Sequence, residues 1–457
     1  MVKKKKIASV DDIRLPTSAR KLKSKHQPFA NQKEYVRAQN AAKVKQLLAK
    51  PFIHAMDDHK DSVISLRKHP KSSNFIISGA CDGELRIWDV QHFKSLSAIK
   101  AHEHWVTGIC FVPSQPQRFL SSSRDGFIKL WDMPYTGDIL SGQSDFMGKH
   151  HDLPGSYGVH ESHLASKILS FHSGGAINDL DVSATSNQFV TAGSSTQLWD
   201  ITRTAPISHI GWNSDSSGFF ECTTTAIRFN RSETNLVCVC DYDGYVTLCD
   251  TRTKKGFGRF KLDDRPNCCE FNPRNPTEFI VGSDSGKCRL FSIKNLKRAK
   301  QVYEGHTNAV LSVDWSPLGS DFVSGSMDGT IRLWDTRTLG KSRDLYHTRR
   351  MGRVNTVQYS VDSRVVYSGS EDCNVRAWRA HAAVHHTKQM NAREQAAKRY
   401  SDSLIKKYID MPDIRKIQRQ KFVPKHVKSA QKKRREQRER EVEKSRHKYR
   451  SKSKKII

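Results

Sequence analysis

An all-β body of seven repeated sheets, set between two basic and mostly helical extensions, is the fold class this sequence predicts. Three observations predict it. A short pattern ending in Trp-Asp returns through the middle of the chain. Its copies alternate polar and apolar residues with the period of a strand. The net charge gathers at the two ends: it is +30, from 77 Lys+Arg against 47 Asp+Glu in 457 residues.

The repeat comes first in the argument. Ser-Gly-Ala-Cys-Asp-Gly-Glu-Leu-Arg-Ile-Trp-Asp at 78–89 recurs at 121–132 and 324–335. Weaker copies end at Trp199-Asp200, Cys249-Asp250, Phe291-Ser292 and Trp378-Arg379. Taken at 88, 131, 199, 249, 291, 334 and 378, the intervals are 43, 68, 50, 42, 43 and 44. The long interval predicts an insertion at about 134–171. Leu85 and Ile87 alternate with Glu84 and Arg86, which is a strand pattern. Asp-Gly at 82–83, 125–126, 243–244 and 328–329 is hairpin chemistry, because Gly takes positive φ cheaply.

A period near 43 with a Trp-Asp ending resembles the WD-repeat family, which implies a seven-bladed β-propeller. The same resemblance implies a hydrogen-bonded His, Ser, Asp and Trp within each well-formed blade. Here these are His59/Ser78/Asp82/Trp88, His102/Ser121/Asp125/Trp131 and His306/Ser324/Asp328/Trp334. Blade seven keeps Ser368, Asp372 and Trp378, with His347 displaced. Blade three lacks the Asp, and blades four and five carry Cys249 and Phe291 in place of Trp. Buried polar sets of this kind are satisfied structure, so no catalytic residue is expected. No eighth unit follows Trp378. The strand completing the last sheet is therefore expected from Phe52–Met56, closing the ring and removing its free edge.

Composition narrows the function classes. No run of about 18 apolar residues occurs, so no membrane span is expected. Met1-Val-Lys-Lys-Lys-Lys leads into no apolar stretch, so it does not read as a secretory signal. None of the ten cysteines forms Cys-x-x-Cys, so neither a disulfide framework nor a zinc site is expected, and the default is a reducing intracellular compartment. No cofactor, metal or small-molecule substrate is predicted, and the chain does not read as an enzyme.

Charge then divides the chain. Residues 1–56 carry a net +11 and residues 380–457 a net +17, while the 323 residues between them carry +2. The predicted domains are a basic N-terminal extension with a helix (1–50), the propeller (51–380) and a basic helical C-terminal domain (381–457). In the first arm Val36, Ala41, Val44, Leu47 and Leu48 fall on one helical stripe that Pro51 stops. In the second, Ala397, Tyr400, Leu404 and Tyr408 do the same before Pro412. Both stripes are expected to dock on the propeller. Beyond Lys428 almost nothing apolar remains. The composition favours helix without a core, so a solvated helix that firms up on binding is expected. Its Lys432–Arg435 run suits phosphate neutralisation. The contact candidates are Lys432, Lys433, Arg434, Arg435 and Arg438, with Lys421 and Lys425. About six such contacts would make affinity fall by a few powers of ten between 50 and 200 mM salt. A nuclear localisation signal is the plainer use of the same run.

The flanks are more specific than the repeat. Glu34-Tyr-Val-Arg-Ala-Gln-Asn-Ala-Ala-Lys43 with Ala49-Lys-Pro-Phe52, and Arg393-Glu-Gln-Ala-Ala-Lys-Arg-Tyr400 followed by Pro412-Asp-Ile-Arg-Lys-Ile417 and Pro424-Lys425, resemble the suppressor-of-fibrillarin family. That resemblance implies a non-catalytic assembly factor of the nucleolar small-subunit processome. It would act with the U3 small nucleolar RNP in pre-rRNA processing and 18S rRNA maturation, in the nucleus and nucleolus. Expected partners are pre-rRNA or small nucleolar RNP and other processome proteins.

Trp334-Asp-Thr-Arg337, with Cys249-Asp-Thr-Arg252, resembles the Trp-Asp-x-Arg box of substrate receptors for a cullin-RING ubiquitin ligase of the CUL4–DDB type. Asp335 and Arg337 are the adaptor-box candidates. In the insertion, His150, His151, His160 and His163 read as a solvated loop in preference to a metal site. A chromatin-binding propeller would use an acidic central cleft, which the body's +2 does not require.

Overall fold

The computed structural model describes residues 30–47, 51–133, 165–210, 223–338, 340–382, 391–421 and 423–453. These fall into two compact units. One joins the described parts of 1–49 and 385–420; the other joins 50–384 with 421–457. The division falls inside the expected C-terminal domain, between Gln420 and Lys421.

The larger unit is a seven-bladed propeller of four-stranded antiparallel sheets. Blades one to six span 63–100, 106–172, 177–209, 224–261, 266–304 and 310–346. Blade seven is built from 354–379 and closed by Phe52–Met56, which pairs with Val375–Arg379. The closing strand therefore comes from the segment the repeat arithmetic selects. Blade two's outer strand is Ser166–His172, paired with Phe127–Asp132. This corrects the expected insertion: its end at Phe171 is strand. The four insertion histidines lie outside the described residues.

Apolar burial between blades holds the ring. Trp88, Trp199, Trp334 and Trp378 are fully buried, and Phe189 and Phe322 stack on the indoles of their own blades, Trp199 and Trp334. Burying one such ring contributes about 3 kcal/mol. Around the channel a second device repeats. Ser65, Thr107, Asn178, Thr225 and Asn267 each donate to the carbonyl that opens the next blade's inner strand: Val106, Ile177, Thr224, Pro266 and Val310. Asn355 does the same from blade seven to Val63 of blade one, while between blades six and seven the Val357 amide donates to the Ser312 hydroxyl. Each bond is worth about 1 kcal/mol net and fixes the rotation of one blade on the next.

In the smaller unit, α1 (Ala30–Leu47), α2 (Ala392–Lys407) and α3 (Pro412–Arg419) pack on each other. The buried face of α1 is Ala38 and Ala42 with Tyr35 beside them, against Leu404, Ile405 and Ile414. The expected stripe is corrected here, because Val36 and Val44 are exposed. Small alanines let the helices approach, and rim pairs fix the register. Tyr35 and Gln39 both donate to Asp413, and Lys407 and Tyr408 to Glu34. Tyr400 is exposed, while Leu404 does the packing.

Candidate nucleic-acid interface

A blade's strands run as a meander, so the turn between its second and third strands shares one rim with the segment entering its first strand. Backbone bonds tie the two together. Arg124 donates to Trp105, Asp284 to Arg265, Met327 to Ala309 and Glu371 to Arg353. Five of these turns place glycine at positive φ, and blade seven places Cys373 there instead. At Gly83, with φ +83°, an added Cβ would lie 2.0 Å from the His102 carbonyl oxygen of the next blade.

On this rim the predicted polar sets separate. In blade two, His102 bonds Ser121 (2.8 Å) and Asp125 (3.0 Å), and Trp131 donates to Ser121. In blade six, His306 bonds Ser324 (2.7 Å) and Asp328 (3.2 Å), and Trp334 donates to Ser324. Blade one keeps only His59, Ser78 and Trp88. Asp82 instead accepts from the Glu84 amide, and His59 Nδ1 is buried without a partner. Burial, helped by Arg86, pushes His59 down to about 3. Burial also lowers His102 and His306, but Asp125 and Asp328 beside them oppose it. Burial thus disfavours the charged form at every histidine of these sets.

The last helix, α4 (Lys425–Ser453), docks on the propeller through its first half, where its composition suggests a solvated helix. It reads backbone carbonyls on blades five and six. His426 donates to Asp328 O (3.3 Å) and Gln431 to Gly305 O (3.1 Å). Arg434 donates to Ser285 O (3.2 Å) and His306 O (3.4 Å), and Arg438 pairs with Glu304 (3.0 Å). Just ahead of the helix, Lys421 donates to the Ser342 hydroxyl (2.9 Å) and carbonyl. Burial, with Arg332 adding to it, pushes Lys421 down to about 8. Val427 is fully buried, worth about 2 kcal/mol. A side chain at Gly305 would meet Arg332 and Trp334 at about 3 Å.

Two of the accepting carbonyls belong to His306 and Asp328, whose side chains form the blade-six set. That set holds both residues, and so presents their carbonyls to α4 in a fixed place. Desolvation alone would raise the Glu304 carboxyl, but Arg438 and Lys287 together hold it below its ordinary value.

Docking sorts the seven sequence candidates. Lys421, Arg434 and Arg438 are engaged by the propeller. Lys425, Lys432, Lys433 and Arg435 are exposed. With Lys428, also exposed, Lys425, Lys432 and Arg435 recur at three- and four-residue steps along one face of the helix. Sequence reasoning missed Lys428 as a contact candidate; its spacing from Lys425 and Lys432 is the signal that finds it. Lys432 and Arg435 also pair with Glu436 and Glu439 one turn on. Such exposed pairs contribute at most about 1 kcal/mol and yield readily to a competing anion.

The adaptor-box residues sit elsewhere on blade six, where the Arg337 amide donates to Asp335 (2.8 Å) and the Arg337 side chain is exposed. Arg252 and Asp250 repeat the geometry at 2.9 Å, but so do Gln91 with Asp89 and Thr202 with Asp200. The turn is a general property of the blade; only the arginine is particular.

Comparison with known proteins adds to this geometry. The WD domain, G-beta repeat family matches residues 50–89, 93–132, 297–335 and 344–379, and the Sof1-like domain family matches residues 380–456. The repeat matches leave out 133–296, the stretch that holds three of the four weaker endings. A protein named DDB1- and CUL4-associated factor 13 from Danio rerio is 34% identical over 406 residues, 88% of this chain and 82% of its own. Protein SOF1 from Saccharomyces cerevisiae is 31% identical over 436 residues, 93% of this chain and 84% of its own. The Homo sapiens protein named DDB1- and CUL4-associated factor 13 is 33% identical over 403 residues, 88% of this chain and 82% of its own.

Proposed function

The chain belongs to the family of WD-repeat proteins that carry a Sof1-like domain, and on that footing we propose that it acts in ribosome biogenesis. In this reading it is a non-catalytic assembly factor of the small-subunit processome in the nucleolus. It works with the U3 small nucleolar RNP on pre-rRNA leading to 18S rRNA. The propeller is the protein-binding platform, and the tail supplies phosphate contacts.

One observation carries the reading: α4 has two faces with different tasks. Val427, Gln431, Arg434 and Arg438 hold it to blades five and six. Lys425, Lys428, Lys432 and Arg435 face outward as a row of cations on a helix already fixed in place. A row held rigid loses less entropy on binding than a free tail does. Phosphate contacts position the protein without reading sequence, which suits a chain whose partner is specified by protein neighbours. The experiment replaces the four outward cations by Gln in cells. Loss of co-sedimentation with 18S precursors is expected; unchanged sedimentation and unchanged 18S maturation would remove the tail from the account.

A second reading rests on exposed Arg337 and on the printed names of the relatives, which associate those proteins with DDB1 and CUL4. Arg337→Ala separates the two. If the box is used, the variant loses adaptor in a pull-down while rRNA maturation stays intact. Retained adaptor sinks the ligase reading alone.

A further inference from the structure

Sulfur collects in one place in this ring. Cys238 and Cys240 lie two apart on Leu236–Asp241 of blade four, and so point to the same side of that strand. Cys269 comes from Pro266–Phe271 of blade five. The three Sγ atoms lie within 4.8 Å of one another, and all three side chains are buried, at 0%, 0% and 2% exposure.

That triangle has metal dimensions. Three sulfurs bound at about 2.3 Å around a planar ion stand roughly 4 Å apart. Cys269 also lines the central channel beside Thr225, Arg228, Asn267 and Glu270, which provides a route from solvent. Among the described residues the cluster offers three ligands and no fourth. Structural zinc wants four, whereas soft thiolate sets select monovalent copper.

We propose that Cys238, Cys240 and Cys269 form a three-coordinate thiolate site for one monovalent copper ion between blades four and five. On binding, three copper–sulfur bonds form, the protons that these thiols hold leave to solvent, and no electron changes hands. The site also pins two blades whose Trp-Asp signature is degraded, replacing an indole-centred set with a metal-centred one.

The test uses the full chain with Cys81, Cys222 and Cys373 changed to Ser, under reductant and without oxygen. Monovalent copper is titrated against a chromogenic copper chelator. One retained equivalent with thiolate-to-copper absorption is expected. It should be lost in Cys269→Ser and in Cys240→Val, and kept in Cys110→Ser. Circular dichroism confirms that each variant is folded, and the Cys240 variant serves if the Cys269 variant is not. No retained equivalent in the folded background, or equal retention by both triangle variants, overturns the site. Zinc retained in preference to copper overturns the choice of ion.

Discussion

The ring and the tail helix are held by opposite means. Seven blades close on buried aromatics, shared hydroxyls and side-chain hydrogen bonds from one blade to the next. Among its described side chains α4 has one buried apolar anchor, Val427, and otherwise polar contacts, most of them to backbone oxygen. The first arrangement is cooperative and costly to open. The second is worth about 1 kcal/mol per contact and can detach while the ring stays folded. The two meet at blade six, where the side chains of His306 and Asp328 complete a buried set and their carbonyls receive the tail.

The sharpest way to break this comparison is to damage two equivalent blades. Trp334→Ala and Trp131→Ala each remove a buried indole and leave a Ser hydroxyl with only its histidine partner, at about 3–5 kcal/mol of ring stability. Denaturant unfolding should register a similar loss for both. Amide exchange should show α4 released only by Trp334→Ala, because only blade six presents carbonyls through its polar set. Equal release by both would erase the special link between that set and the tail.

Acid gives the next effect. His59 is lowered from 6.5 to about 3 in the fold. The unfolded chain takes up this proton below about 6.5 and the native ring refuses it until about 3. Stability from neutral His59 is therefore complete above 6.5 and is lost as pH falls through that window. The slope approaches about 1.4 kcal/mol per pH unit. His102 and His306 are lowered too and act in the same direction. Between pH 6 and 4, His59→Gln should lose about 2 kcal/mol less than the parent chain. Parallel curves would mean His59 is not the neutral group with an unpartnered Nδ1 described.

A smaller effect isolates the tail. Gln431→Ala with Arg438→Ala should raise exchange in α4 by about tenfold, the consequence of roughly 1–2 kcal/mol. The unfolding midpoint of the ring should not move. A shifted midpoint would make tail and ring one cooperative unit.

Legibility in the sequence follows the same division. The ring could be read because Trp-Asp endings and Asp-Gly turns are side-chain signals at a fixed period. Phe52–Met56 followed from counting strands. Asp82 could not be told apart from Asp125, since both precede Gly and only the fold shows which one reaches its His. Tail docking left no trace because its acceptors, the carbonyls of Ser285, Gly305, His306 and Asp328, belong to no residue type. In α1, hydrophobicity selected Val36 and Val44, while packing selected the smaller Ala38 and Ala42. Cys269 joins Cys238 and Cys240 only through the packing of two blades, which no local spacing encodes.

The most direct test of the two-faced tail is RNA affinity as a function of salt, measured on the full chain. One variant carries Gln at Lys425, Lys428, Lys432 and Arg435; the other carries Ala at Gln431 and Arg438. The account predicts that the outward variant binds pre-rRNA more weakly and loses up to about three units of salt slope, with exchange protection of α4 unchanged. The inward variant should lose protection and keep most of the slope. An outward variant with undiminished affinity and slope would contradict the assignment of RNA contact to that face.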